Sequence, residues 1–585
     1  TLFVLVLSPS LLVGQILFTD IAPTAGVADA GNGQGVAMFD FNNDGYLDIY
    51  LVNNGQSNKL FRNNGNLTYT EVGATFGVNN TGAGRGCAIG DYNNDGRPDI
   101  VVGNFNQGMI LYRNDSTVFT NATAIAGMSV TSWGGSINWL DYNADGRLDC
   151  YVGNNGIPPH YNYLFRNDNL SSFTHVAFAM GLNDSSSTLS TASADYDNDG
   201  DMDIFIGNQA FPTGILYRND GTTFTNVTAS SGLSTVRYTW GADWGDFDND
   251  SDLDMYLANS NGPNELFRNN GDGTFMDVAT TFGVADPIQS FSCGWADVDN
   301  DGDLDLYVAN STAGLDRMYR NDGTTFTDVA AASGMIDPLL SSSTTWGDIN
   351  NDGRIDLYLS NNGTANKLWL NGSDSTKHWL QLKLTGTASN RSAIGARVRV
   401  RTGSLNQIRE VQGGSGHNGQ NSLPVEFGLN TATLADSVII RWPNGSVRVL
   451  TAVPADQILN ISETPTSVER TSPAVPDRFV LEQNYPNPFN PTTEIEYSLP
   501  SLSSNQAKGR VGEGSHVRLG EPSARRVTLK VYDLLGREVA TLVNENLKPG
   551  TYHVEWNASA FASGIYLCQL RAGALVQTIK LSLVR

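Results

Sequence analysis

Apolar positions along this chain fall in short runs separated by Gly, Asn, Asp and Ser, and four such runs recur in a fixed order. A segment such as GCAIGD ends on an aspartate. LDIYLVNN follows it, then LYRND or LFRNN, then a stretch such as FTNVTAS. Short runs bounded by turn formers and rich in β-branched and aromatic residues predict strands. Long amphipathic periodicity is hard to find, so the pattern predicts an all-β protein.

A nine-residue pattern, D-x-[DN]-x-D-x-x-x-D, punctuates these strands seven times. It begins at Asp40, Asp91, Asp141, Asp195, Asp246, Asp297 and Asp348, at spacings of 50 to 54 residues. That period suits a four-stranded blade and is too long for most solenoid repeats, so a seven-bladed β-propeller is expected over 16–375. The fourth-strand signature also occurs seven times, at Phe18, Tyr69, Phe119, Phe173, Phe224, Phe275 and Phe326, but one copy precedes the first acidic loop and none follows Leu368. The N-terminal ILFTDIAP is therefore expected to complete the last blade, which would leave no open edge. Loop, period and copy number together resemble the FG-GAP or VCBS-like repeats of integrin α propellers and bacterial surface proteins, over residues 18 to 375.

The loops carry the candidate chemistry. Calcium takes six to eight oxygen ligands, and short side chains at alternate positions of a tight turn converge on one point. Positions 1, 3, 5 and 9 supply Asp40, Asn42, Asp44 and Asp48 in the first loop, and Asp91, Asn93, Asp95 and Asp99 in the second. The third has Asp141, Asn143, Asp145 and Asp149; the fourth has Asp195, Asp197, Asp199 and Asp203. Asp246, Asp248, Asp250 and Asp254 follow in the fifth, Asp297, Asp299, Asp301 and Asp305 in the sixth, and Asp348, Asn350, Asp352 and Asp356 in the seventh. Up to seven Ca2+ ions are expected; the alternative is a set of metal-free Asx turns. Loops four to six add Asp201, Asp252 and Asp303 at position 7, which predicts tighter binding there. Ser251 replaces the position-6 glycine that a sharp turn favours, which singles out loop five.

Charge bears on partners. The chain has 60 acidic and 36 basic side chains for a net charge of -24, which disfavours nucleic acid and anionic membranes. The loops hold 27 of those acids, and seven divalent ions would bring the net to about -10. Four cysteines show no CxxC pair and no disulfide framework, and read as buried core residues. The opening TLFVLVLSPSLLVGQ is too short for a membrane span and reads as the residue of a secretory leader over 1–15, with an apolar first strand as the alternative. No other segment could cross a bilayer as a helix.

Features repeated in every blade are architectural before they are unique sites. Arg62, Arg113, Arg166, Arg218, Arg268 and Arg320 therefore read as structural ion-pair partners, and Trp139, Trp244, Trp295 and Trp346 as packing between blades. The non-repeated Trp133, Tyr238, Trp240 and Phe291 are better placed to line one mouth of the ring.

Residues 376–463 change pattern. Asn390, Arg391, Gly395, Ala396, Gly413, Gly414, Ser415, Gly416, Phe427, Gly428, Trp442, Pro443 and Gly445 resemble the ASPIC/UnbV domain and imply a small β domain. His417 beside GGSG has no partner acid or nucleophile and reads as a turn residue. A Pro, Ser and Thr rich linker spans 464–478. Residues 479–585 alternate as strands, as at Val527, Leu529 and Val531, and resemble the type IX secretion C-terminal sorting domain. That resemblance implies an Ig-like β-sandwich, recognition by the type IX export machinery, and a destination at the bacterial cell surface or outside the cell. A Ser, Gly and Arg rich insert at 501–526 departs from the pattern and is expected to be disordered.

The functional expectation is an exported, monomeric, calcium-binding protein that recognises a glycan or protein partner at the ring mouth or along the loop face. A calcium-dependent polysaccharide-active enzyme is the rival, although the six histidines form no metal or triad spacing. A passive scaffold in a surface assembly is the third reading.

Overall fold

A computed structural model describes residues 16–584 apart from 106, 131–133, 156–160, 210–213, 234–236, 312–314, 374–375, 464–468, 473–477, 491, 501–524, 535, 559–560, 562 and 574. The expected leader at 1–15, Trp133, His160, His516, most of the linker and nearly all of the insert lie outside the described residues. The chain divides into two compact units, one of residues 1–438 and 452–463, the other of 439–451 and 464–585.

Each period of the N-terminal unit folds into one four-stranded antiparallel sheet. In the first, Gly33–Phe39 pairs with Asp48–Asn53, which pairs with Lys59–Asn63 and then Tyr69–Glu71. The first two strands are buried along their whole length on both faces, which is why they read as continuous apolar or small-residue runs rather than as alternation. The fourth strand is short, as in Phe224–Asn226, with its aromatic buried and its next two residues exposed. Among the described residues, seven such sheets are found over 18–371. Their first strands lie side by side in succession, and Ser341–Gly347 of the last lies against Gly33–Phe39 of the first, so they close on themselves as in a β-propeller. The last sheet takes its fourth strand from the N-terminus, where Phe18–Asp20 pairs with Lys367–Asn371. Lys367 Nζ lies 3.0 Å from Asp20 across that junction.

Some innermost strands are polar by composition yet fully buried. Thr188–Ala194 reads TLSTASA and Ser341–Gly347 reads SSSTTWG. Their hydroxyls find partners inside: Thr191 Oγ1 donates to Ser136 Oγ at 3.0 Å, and Ser341 Oγ to Asp316 at 2.8 Å. Trp139, Trp244, Trp295 and Trp346 are buried between sheets, with Tyr92 stacked on Trp139 and Tyr196 on Trp244. All four cysteines are buried free thiols, and burial pushes them well above the usual thiol range.

The same compact unit contains the next domain. His378–Thr385 runs antiparallel to Val425–Asn430 and parallel to Gln457–Ser462, and Arg397–Thr402 pairs with Leu405–Glu410. Between these elements residues 412–422 enter the ring of first strands. Trp139 N donates to Gly413 O at 2.9 Å, Ala242 N to Gly416 O at 3.2 Å, and Cys87 N to Asn418 O at 3.2 Å. Gln420 is buried and clasps Ile89, accepting from its N–H at 2.6 Å and donating to its carbonyl at 3.0 Å. Trp346 N donates to Asn421 Oδ1 at 3.0 Å on the far side. Residues 412–422 therefore place peptide along the axis of the ring.

In the C-terminal unit two four-stranded sheets share one core that includes Ile495, Tyr497, Val527, Leu529, Val531, Trp556 and Leu570. Glu469–Ser472, inside the expected linker, pairs with Gly550–Asn557, whose edge it covers.

Candidate metal centres

Each acidic loop joins the first strand of a sheet to the second, and the position-9 aspartate opens the second strand. Those aspartates are buried and clamp the loop: Asp48 Oδ2 accepts from Phe41 N at 3.0 Å, and Oδ1 from Asn63 N on the third strand at 2.7 Å. The position-1 carboxylate folds the turn, Asp40 Oδ2 accepting from Gly45 N at 2.8 Å and Oδ1 from Asp44 N at 3.0 Å. Positions 3 and 5 each accept one further N–H, as Asn42 does from Asp44 and Asp44 from Tyr46. Backbone donors thus aim the loop oxygens inward.

The side chains differ among loops. One oxygen each of Asp195, Asp197 and Asp199 lie within 4.8 Å of one another; so do those of Asp246, Asp248 and Asp250, and of Asp297, Asp299 and Asp305. Asp301 and the remaining position-9 residues, Asp203 and Asp254, stand outside these triplets. Loops one, two, three and seven carry Asn at position 3, and in loops one, two and seven its amide donates to position 5 at 2.8 to 3.0 Å. In loops two, three and seven an arginine at position 7 pairs with the position-5 aspartate: Arg97 with Asp95, Arg147 with Asp145, Arg354 with Asp352. Lys377 does the same in loop six, 2.9 Å from Asp299 and 3.3 Å from Asp301. The position-7 aspartates take another role: Asn198 donates to Asp252 at 2.7 Å and Asn249 to Asp303 at 2.7 Å, linking adjacent loops. Ser251 adopts φ +79, where the equivalent glycines lie between +78 and +102.

Burial and like charge leave these carboxyls expensive to ionise. Desolvation, opposed by backbone donors and aided by neighbouring aspartates, raises Asp48 to about 8, Asp91 to about 6, Asp141 and Asp246 to about 7, and Asp297 to about 8. Asp149 Oδ2, Asp197 Oδ1, Asp246 Oδ1 and Asp248 Oδ1 are buried with no hydrogen-bond partner. A hard divalent cation fits this donor set, since it supplies both the missing partner and the missing positive charge.

Two sets of residues escape sequence reasoning. The third strand ends on an asparagine whose side chain bridges sheets: Asn63 Nδ2 donates to Ile349 O at 2.9 Å, Asn114 to Phe41 O at 2.9 Å and Asn371 to Val298 O at 2.8 Å. The recurrent Asn in LFRNN and LYRND is its signal. The position-4 asparagines form a second ring, Asn43 donating to Gly96 O at 3.1 Å, Asn300 to Gly353 O at 3.0 Å and Asn351 to Gly45 O at 3.0 Å. Ala144 stands at that position in loop three.

Other expected sites resolve individually. Arg113, Arg166, Arg218 and Arg320 pair with the aspartate two residues on; Arg62 and Arg268 have Asn there instead. Trp240 stacks on Phe291 at 4.3 Å and both meet His417, whose Nδ1 lies 2.7 Å from Trp240 O. His417 is buried and its pKa is lowered to about 4 by burial, which suits a neutral packing residue at the tip of the axial segment. Tyr238 remains 39% exposed nearby, the most open of the mouth candidates among the described residues.

Comparison with known proteins agrees with this geometry. The FG-GAP-like repeat model matches 40–102, 91–152, 141–206, 195–257, 246–308 and 297–359. "ASPIC and UnbV" matches 386–468, and the secretion system C-terminal sorting domain matches 483–584. The chain is 27% identical over 457 residues to cartilage acidic protein 1 of Xenopus tropicalis, covering 71% of this chain and 62% of that protein. The Homo sapiens protein of that name is 24% identical over 448 residues, covering 71% and 61%. The chain therefore spans about three fifths of the length of these curated relatives. A solved tetra-tandem repeat from the extending region of a large adhesion protein aligns at 10% identity over 77% of this chain and 99% of that one, with a TM-score of 0.12, too low to relate the folds. Among the described residues no helix is long and apolar enough to cross a membrane. With repeats matched over more than half its length, this chain belongs to the FG-GAP-like repeat family and carries an ASPIC/UnbV domain and a C-terminal sorting domain that marks it for export to the cell surface or beyond through the type IX machinery.

Proposed function

We propose that this protein is an exported seven-bladed β-propeller with an Ig-like sorting sandwich, stabilised by calcium in its acidic loops, that binds a glycan or protein partner outside the cell. The observation that carries the reading is the set of buried carboxylate oxygens without partners at the centre of a repeated, backbone-aimed loop. Positions 1, 3, 5 and 9 of each loop would hold the ion, whose chemistry is charge neutralisation and cross-linking. Loops four and five rank first, on their converging carboxylates, and loop six follows them, because Lys377 must release Asp299 and Asp301 there. Loops two, three and seven rank lower, because their arginine must release the position-5 aspartate.

Recognition belongs on the loop face, since residues 412–422 fill the axis. The repeat and ASPIC/UnbV matches point to a non-catalytic surface protein. Calorimetric titration of chelator-stripped protein with Ca2+ tests the reading: two or more sites are expected, with Asp248→Asn removing one. A flat titration at millimolar calcium would overturn it.

A further inference from the structure

The second domain lies along the loop face unevenly. At loop seven a methyl group built on Gly353 would fall 1.9 Å from the Trp379 ring; at loop six one on Gly302 would meet Leu405 at 2.4 Å; at loop three one on Gly146 would meet Ala388 O at 2.5 Å. Loop four is held by Arg397, and loop five by Asn406, which donates to Ser251 Oγ at 2.6 Å. At loop one a methyl group on Gly45 meets nothing within 4 Å. The domain touches loop two only along one side, where Arg391 N donates to Asn94 Oδ1 at 2.9 Å and Ser392 Oγ accepts from Asp91 N at 2.9 Å.

This departure opens a cleft of about 580 Å³ between loops one and two and the second domain. That volume lies in the range of small-molecule sites. Among the described residues that line it, Lys383 and Arg391 are basic, and the position-1 loop residues Asp40 and Asp91 are acidic. Lys383 is half-buried and Arg391 exposed. Neither is tied up in an ion pair among the described residues. Thr385, Ser392, Asn43 and Asn460 add short polar groups, and the apolar wall includes Phe39, Leu47, Leu384 and Leu423.

We infer that this cleft is a binding site for an acidic sugar residue, its carboxylate held by Lys383 and Arg391 and its hydroxyls by the neighbouring amides and hydroxyls. The inference rests on the calcium reading in one respect: ions in loops one and two would neutralise Asp40 and Asp91 and leave the two basic side chains as net positive charge. A guanidinium and an ammonium lining one cleft suit a carboxylate, and small amides and hydroxyls suit a ring of hydroxyl groups. The short amides and hydroxyls of Asn43, Thr385, Ser392 and Asn460 around the two basic side chains favour a sugar over an acidic peptide.

The test is calorimetric titration of the full chain in millimolar calcium with trigalacturonate, with maltotriose and hexaglutamate as comparators, and a separate Ca2+ titration of each variant. Trigalacturonate should bind, maltotriose at least tenfold more weakly, and the Lys383→Ala, Arg391→Ala double variant should lose at least tenfold while keeping its calcium heats and melting temperature. Failure of trigalacturonate to bind with calcium heats intact overturns the sugar site and leaves the loop reading standing. Loss of calcium heats with trigalacturonate still bound through the two basic residues does the reverse. Preference for hexaglutamate would overturn the assignment to a sugar.

Discussion

Ala144 is the residue at which the ring of loop-to-loop hydrogen bonds lacks a donor. It sits at φ +51, a conformation that costs a β-carbon about 1 kcal/mol and that Asn tolerates. Asn43, Asn94, Asn198, Asn249, Asn300 and Asn351 hold the same conformation at the equivalent position, each donating to the next loop. Ala144→Asn relieves strain and adds one hydrogen bond, so a gain of about 1–2 kcal/mol is expected in urea denaturation. A loss of stability would show that the donor cannot reach loop four. At this scale the recurring loop carboxylates and amides were legible, because four oxygens at fixed spacing leave a periodic trace. The cations that compete for them, Lys377 above all, were not, because it reaches Asp299 from 78 residues away.

Elements were legible wherever burial is one-sided or complete. The closing strand Phe18–Asp20 was readable because its FTD repeats the fourth-strand signature out of phase. The axial segment 412–422 was not: GGSGHNGQN reads as a turn, and only the ring around it reveals why glycine recurs. A β-carbon at Gly413 would fall 1.9 Å from Trp139 O, and one at Gly414 2.6 Å from Ile137 O. Gly413→Val must therefore push the segment off the first strands, at a cost of about 3 kcal/mol or more, whereas Gly403→Ala, at φ +61 with open space around it, costs about 1 kcal/mol. Equal midpoints for the two variants would mean that the segment contributes little to folding.

For the whole molecule, the loop carboxyls set a pH dependence. In chelator, folded-state values raised to about 6 at Asp91 and Asp348, about 7 at Asp141 and Asp246 and about 8 at Asp48 and Asp297 exceed the unfolded value near 4. The folded protein then holds more protons than the unfolded chain, so stability is full below about pH 4 as far as these groups go, and falls as pH rises toward 8. Calcium should reverse that slope, since deprotonated ligands bind it better. Melting temperatures measured from pH 5 to 8 with and without calcium should therefore diverge; parallel curves would mean that the ion does not reach these groups.

The peptide threaded through the ring also sets a clock for hydrogen exchange. The N–H groups of Cys87 and Ile89 on one sheet, and of Trp139 and Ala242 on two others, all end on residues 413–420. None can meet solvent while that stopper stays seated, so these four amides should exchange with one shared rate, set by its withdrawal rather than by the breathing of any single sheet.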